Sequence, residues 1–287
     1  MIEVRYNKFT YKALLGNNMF QYCLGRIIAE HLGFALDAEP IPGFPNTAQR
    51  VEGASWNTPV QTLTGQIIDL ESVLEDCGPR KIQLHGWFQR HEYYRPHRDK
   101  IRQWLAFYPS IRRPDEIPDV VVHVRRTDYI PLGWALPFSY YDEALTRMLP
   151  HGGKVLIMTD DRKDPFFRKF ARWNPKFSNG TAMEDLLAMT MAPRLVMSQS
   201  TFSWWPTFLG DHQAVACPLP SFGAWSPQGE ACDANLIERD RFLCIECREP
   251  YQPSTADRWH QKRRALWRRV VLGVNRRFHL SLHEPPT

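Results

Sequence analysis

The sequence predicts an α/β protein of two domains followed by a basic tail helix, and three observations carry that reading. Residues 120–124, Val-Val-Val-His-Val, form a β-branched apolar run typical of a strand buried on both faces of a parallel sheet. From Asp119 onward, short apolar runs alternate with helix-length segments, the pattern of a doubly wound sheet. Between Pro109 and Pro118 lie three prolines among mixed charges, which marks a domain boundary, and 287 residues suit two domains better than one.

The first half opens with a strand over Ile2–Arg5. A helix follows, capped by Asn17, with Phe20, Leu24, Ile27, Ile28 and Leu32 as its apolar stripe and Gly33 as its end. Residues 38–62 are rich in Pro, Gly, Asn and Thr and read as loops. A strand over Lys81–Leu84 leads into Gly86-Trp87-Phe88-Gln89, and a helix from Pro96 to Phe107 turns Ile101, Trp104 and Leu105 inward.

In the second half, strand 120–124 precedes a helix over Ser139–Leu149, capped by Ser139. Strand Lys154–Met158 ends in Thr159-Asp160-Asp161, and the next helix starts at Asp164-Pro165. A short strand near Lys176 precedes the capping box Thr181-x-x-Glu184, whose helix runs to Met191. Strand Arg194–Met197, a helix opened by Ser200-Thr201, and strand Gln213–Cys217 close the series.

Composition bounds the function. Hydrophobic content of 43% and charged content of 23% belong to an ordinary globular protein rather than a disordered one. Ten tryptophans suit sugar-stacking surfaces and equally suit a packed core. No stretch approaches the ~20 apolar residues of a spanning helix, and no charged-then-apolar leader follows Met1, so a cytoplasmic location is expected. Six scattered cysteines do not form a secreted disulfide framework. Cys244-x-x-Cys247, with Cys217 and Cys232 upstream, is the nearest approach to a metal pattern, but it lies in a strand-like run and reads as buried thiols.

Ligands of doubly wound sheets bind at the carboxyl ends of strands, and Arg125, Asp160 and Ser200-Thr201 fall at such ends. Arginine at a strand end offers a planar fork for phosphate; an ion pair of Arg125 or Arg126 with Asp128 is the plain alternative. Ser200-Thr201-Phe202 precedes a helix, where free amides and hydroxyls cradle an anion, and simple capping by Ser200 or Ser203 is compatible with that.

His123-x-Arg125-Arg126-x-Asp128 resembles the first motif of the GDP-fucose-dependent fucosyltransferases of the α-1,2, α-1,6 and protein-O branch. Three further segments resemble the α-1,2 family in the right order. They are Gly16-Asn17-Asn18-Met19-Phe20-Gln21-Tyr22 (Asn18 replacing the family's Gln), Gly86-Trp87-Phe88-Gln89, and Ser198-x-Ser200-x-Phe202-Ser203-Trp204-Trp205. The resemblance covers roughly residues 14–210. It implies a GT-B fold of two facing Rossmann-like domains; with the boundary in the proline-rich stretch, these are an acceptor-side domain over 1–115 and a GDP-fucose-binding domain over 116–250, and the basic tail helix over 251–287 lies beyond the resemblance.

The activity implied is inverting transfer of L-fucose from GDP-fucose to a sugar hydroxyl, first of all O2 of a galactose in an oligosaccharide or surface glycan. The rivals are another linkage and a non-catalytic nucleotide- or glycan-binding relative. Carried over by position, His123 contacts the nucleoside, Arg125 the β-phosphate, Asp185 the guanine edge, and Ser200, Thr201 and Phe202 the diphosphate. Arg126 braces the strand end through Asp160 or Asp128, while Asn17, Asn18, Gln21, Trp87 and Gln89 lie on the acceptor side. Asp185 also reads simply as a first-turn carboxylate favoured by the helix dipole. Asp128 is the nearest acid for catalysis; the α-1,6 branch has a glutamate ten residues after the motif histidine, where Gly133 stands here. GDP-fucose is a substrate, no cofactor is expected, and with no Asp-x-Asp cluster the arginine and helix-end amides take the place of a metal.

The tail, residues 258–278, has Trp259, Leu266, Trp267, Val270, Val271, Val274 and Phe278 at helical spacing among eight Lys or Arg. It reads either as a helix docked on the protein or as one lying on an anionic membrane surface, where a lipid-linked glycan acceptor would sit. No base-reading module is present, so nucleic acid is not an expected partner.

Overall fold

The computed structural model describes residues 1–4, 11–49, 59–219, 241–247 and 251–278, with the backbone alone for 11–14 and 267–278. Two parallel sheets organise the chain. The first contains β1 (Ile2–Val4), β2 (Leu36–Ala38), β3 (Val60–Gly65) and β4 (Lys81–Gly86), in the order β2-β1-β4-β3. Between β1 and β2 runs α1 (Tyr11–Leu32), which buries Met19, Phe20, Cys23, Leu24, Ile27 and Ile28.

Gly33 ends α1 with φ +65°, the left-handed conformation that favours glycine. The start differs from expectation, because Asn17 lies inside the helix. Lys12, Ala13, Leu14 and Leu15 are strong helix formers, and they extend it past the weaker capping preference of one asparagine. Two strands, β2 and β3, lie at the ends of the stretch read as loops; β3 is a mostly exposed edge strand and carries little apolar signal. After the short α2 (Leu70–Glu75) and α3 (His91–Tyr94), the helix expected over Pro96–Phe107 starts as a 3-10 turn holding Pro96 and continues as α4 (Arg98–Trp104). Ile101, Trp104 and Leu105 do point inward.

The second sheet contains β5 (Val120–Val124), β6 (Val155–Thr159), β7 (Lys176–Phe177), β8 (Arg194–Val196), β9 (Ala214–Leu219) and β10 (Phe242–Glu246). Their order is β10-β9-β8-β5-β6-β7, all parallel, which is the doubly wound 3-2-1-4-5-6 arrangement. Its helices are α5 (Phe138–Met148), α6 (Ala182–Met191) and α7 (Thr201–Leu209).

Three details correct the sequence reading. Ser139 lies within the first turn of α5, whose N-cap is Pro137. The segment Pro165–Trp173 is a 3-10 helix, although Asp164 caps it as expected by accepting from the Phe166 amide at 2.9 Å. The sheet does not close at β9: β10 adds an edge strand, on which Cys244 lies beside Cys217 with the sulfurs 3.4 Å apart. Cys232 lies outside the described residues. The Thr181–Glu184 capping box forms as read.

All five residues of β5 are buried, because both faces of the sheet are covered. Val120, Val122 and Val124 pack with α5 and Phe166, Phe167 and Phe170, whereas Val121 joins the core formed with α6, α7 and the first half. That second core runs unbroken between the halves. Phe20 of α1 sits 4.8 and 4.7 Å from the rings of Trp204 and Trp205 on α7, and Trp205 Nε1 donates to the Gly16 carbonyl at 2.8 Å. Arg98 of α4 donates to the carbonyls of Phe208 and Gly210 at 2.8 and 2.7 Å. No helix among the described residues is long and apolar enough to cross a membrane.

At the crossing of α1 and α7 a β-carbon on Gly16 would meet Thr201 Oγ1 at 2.5 Å and the Thr201 backbone at 2.7 Å. Gly16→Ala is therefore expected to cost about 1–3 kcal/mol, the usual price of overpacking. Urea denaturation monitored by tryptophan fluorescence should show the loss as a lower midpoint at unchanged slope.

Candidate functional site

In a doubly wound sheet the crevice lies where the connections change direction, here at the carboxyl ends of β5 and β8. His123, near the end of β5, is 4% exposed, and its Nδ1 shares a 2.9 Å hydrogen bond with Ser198 Oγ beyond β8. The Phe202 ring lies 5.5 Å from the imidazole. Burial, with the Arg125 charge nearby, lowers the His123 pKa to about 3. The ring is therefore neutral at physiological pH, with one donor and one acceptor nitrogen.

Arg125 follows two residues later on the same face. Its Nη2 donates to Asp128 at 2.6 Å, its Nε stands 3.1 Å from Asp160, and its guanidinium lies 4.8 Å from the centre of the Tyr129 ring. The expected pair with Asp128 thus forms, and Asp128 stays 53% exposed beside it. Asp160 is committed to shaping the turn: it accepts from the Arg126 amide at 2.8 Å and from Thr127 Oγ1 at 2.6 Å. It orients Arg125 and is already occupied by protein donors.

From the other strand end, Ser200 caps α7 by accepting from the Phe202 amide at 3.3 Å. Two bonds hold this corner to the end of β5, Ser198 to His123 and the Tyr129 hydroxyl to the Gln199 carbonyl at 2.9 Å. Burial raises the Tyr129 pKa, so the phenol remains a donor. His123, Arg125, Asp160, Ser200, Thr201 and Phe202 are brought together here, as the sequence places them. Tyr129 and Ser198 join them unannounced; Ser198 was visible only as the first serine of the Ser-x-Ser pattern, and Tyr129 only as the residue after Asp128.

Arg126 does something different. Strand alternation turns it to the opposite face, where it is 0% exposed. Its Nε bonds Asp164 at 2.9 Å, and its Nη2 bonds Tyr251 and Asp257 at 2.7 and 3.1 Å. The rings of Phe166 and Tyr251 flank it at 4.0 and 4.4 Å. Only its backbone amide reaches Asp160, so its side chain neither faces the crevice nor braces the strand through Asp128 or Asp160.

Its partner Asp257 lies on the tail helix α8 (Thr255–Phe278), which docks through one face. His260 and Arg264, three and seven residues on, meet Asp161 at 2.8 and 2.5 Å. Trp259 and Leu266 face away, 61% and 64% exposed, with Arg263 over the Trp259 ring at 4.8 Å. The side chains of Trp267, Val270, Val271, Val274 and Phe278 lie outside the described residues.

Asp185, in the first turn of α6, accepts from Ser178 Oγ. Burial outweighs that bond and raises its pKa to about 6. It lines a cleft of about 670 Å³ together with Met158, Trp173, Lys176 and Ser178. The cleft runs along β6 from Lys154 to Met158, the register partner of His123, and is lined by none of His123, Arg125, Ser200, Thr201 and Phe202.

Asn17, Asn18, Gln21, Trp87 and Gln89, expected on the acceptor side, gather at the end of β4. Gln89 Nε2 donates to Asn17 at 2.9 Å and Gln21 Nε2 to the Gly86 carbonyl at 2.8 Å. Asn18 and Gln21 are buried behind this surface, while Trp87 is exposed on it. A β-carbon on Gly86 would meet the Gly65 carbonyl at 2.3 Å, and Phe88 takes φ +50°, anchored by Tyr94 donating to its carbonyl at 2.7 Å. That turn drives Phe88 into the core and leaves Trp87 outside.

No family model matches the chain. Its sequence is similar to an α-1,2-colitosyltransferase of Escherichia coli, 24% identical, over 72% of this chain and 89% of that protein. Among solved structures it is similar to the NodZ α-1,6-fucosyltransferase soaked with GDP-fucose, with a TM-score of 0.44 and 11% identity over 73% of this chain and 92% of that one. The second likeness is too distant to carry an argument.

Proposed function

We propose that this chain is an inverting glycosyltransferase that moves L-fucose from GDP-fucose to a sugar hydroxyl, with O2 of a galactose as the first acceptor to test. The observation that carries the reading is the convergence of neutral His123, oriented Arg125 and the start of α7 at the switch point of the second sheet. Attack by the acceptor oxygen on the anomeric carbon expels GDP, and charge grows on the β-phosphate. Arg125 and the amides opening α7 stabilise that charge without a metal ion. His123 takes the nucleoside, Asp185 accepts from the guanine edge within the cleft, and Asp128 is the nearest acid to receive the acceptor proton.

The colitosyl relative favours a second reading of the donor. Colitose is fucose without its 3-hydroxyl, so GDP-colitose would use the same diphosphate and nucleoside contacts. GDP release from GDP-fucose and GDP-colitose across a panel of sugar acceptors tests both readings. We expect acceptor-dependent release that survives EDTA and falls about 100-fold in Arg125→Lys, because a point charge cannot replace the fork. Loss in EDTA restored by Mg²⁺ or Mn²⁺ would overturn the metal-free site, and GDP binding without release would leave a binding protein.

Asp185 accepts from guanine only as a carboxylate. Its pKa is raised to about 6, so the accepting form grows as pH rises through that value. Calorimetric titration with GDP should therefore show binding that tightens through about pH 6, and the pH step should vanish in Asp185→Asn.

The exposed face of α8 supports peripheral attachment to the inner face of an anionic membrane, where a lipid-linked acceptor would sit. Each basic residue near such a surface contributes about 1 kcal/mol, and Trp259 and Leu266 add apolar burial. The doubly substituted Trp259→Ala, Leu266→Ala protein should lose co-sedimentation with phosphatidylglycerol vesicles while keeping its GDP affinity, and salt should weaken the parent's binding. A parent that stays in the supernatant, or a variant that still sediments, ends the membrane proposal. Truncation before the helix would remove Asp257 from Arg126 and so tests folding instead.

A further inference from the structure

We infer that Tyr129 is a positioning residue that couples the two anion-holding elements of the site, an inference that rests on the function proposed above. The fork of Arg125 comes from the end of β5, and the capped start of α7 comes from the end of β8. Nothing in the strand pairing sets their separation beyond the register of Val121 with Leu195 and Val122 with Val196. Tyr129 touches both. Its ring lies beneath the Arg125 guanidinium, and its hydroxyl donates to the Gln199 carbonyl at the corner that leads into Ser200.

Tyr129 is itself held from two sides. Its carbonyl accepts from the amides of Trp134 and Ala135 at 2.8 and 3.1 Å, and the Trp134 ring packs edge-on against it, centroids 5.7 Å apart. Asp128 and Asp160 pair with Arg125 through its Nη2 and Nε. An arginine held by two carboxylates alone would retain the freedom to follow either of them. The aromatic floor removes that freedom and keeps the fork facing the crevice at a set distance from α7.

The β-phosphate carries more charge in GDP, and in the transition state, than in the intact sugar ester. Misplacing Arg125 should thus lower GDP affinity and kcat while donor KM stays within about twofold. Tyr129→Phe keeps the ring and loses the bond to Gln199; the expected loss is about 2–10-fold. Tyr129→Leu loses both contacts, for an expected loss of about 10–100-fold.

The deciding measurement is a double-mutant cycle with Arg125→Lys and Tyr129→Leu, read as GDP affinity by calorimetry and as kcat. If Tyr129 acts through Arg125, the double variant is within about twofold of Arg125→Lys alone. Penalties that multiply, or a Tyr129→Leu protein with parental GDP affinity and kcat, overturn the inference. Should Tyr129→Leu fail to fold, the cycle is run with Tyr129→Phe under the same criterion. The two readings fail separately: GDP binding without release from any donor removes the transferase and leaves the affinity cycle to decide on Tyr129. A parent protein that does not bind GDP overturns both.

Discussion

The interaction on which the strand-end architecture depends is the sealed guanidinium of Arg126. It has no exposure to solvent, and it meets Asp164 of the 3-10 segment, Tyr251 and Asp257 of the tail. A charge in that position is tolerable only when paired and hydrogen-bonded, and removing one partner typically costs 3–5 kcal/mol. The start of the tail helix is therefore part of the second domain's structure. Its attachment also stabilises the residue whose backbone amide, through Asp160, shapes the turn holding Arg125.

Adjacent arginines meet opposite fates here for a geometric reason. Successive side chains of a strand point to opposite faces, so His123 and Arg125 share the crevice with α7 while Arg126 joins the layer of Phe166 and Tyr251. One face turns a fork toward the crevice, and the other uses the same chemistry as a bolt. The crevice face is assembled from two strand ends by two hydrogen bonds, Ser198 to His123 and Tyr129 to Gln199.

The two halves are held by aromatic packing and by Arg98 and Arg102 of α4, which both pair with Asp211 of the second half. Trp204 and Trp205, the most conspicuous pair in the sequence, are fully buried between α1, α3 and α7. They serve the core and not a sugar surface; Trp87 is the tryptophan that the turn at Gly86 and Phe88 leaves exposed near Gln89 and Asn17. The contact of Gly16 with Thr201 sets how near α1 comes to the helix start that borders the crevice. Its motif thus belongs to the seam between the halves as much as to either one.

The sequence by itself determined what depends on local pattern. The apolar run 120–124 specified a doubly covered strand, the Thr181–Glu184 box a helix start, and Gly33 a helix end, because period, capping and left-handed backbone are properties of neighbouring residues. It also placed Arg125, Asp160 and Ser200 at the carboxyl ends of parallel strands, which the topology brings to one crevice. Local pattern failed where its signals competed or were weak: strong helix formers carry α1 past Asn17, and β3, exposed along much of its length, gives little apolar pattern. The tertiary structure alone decided that Arg126 faces away from the crevice and that Tyr129 reaches Gln199. Those facts join residues 131 and 70 positions apart, and no local pattern encodes which distant carboxylate or carbonyl will be within reach.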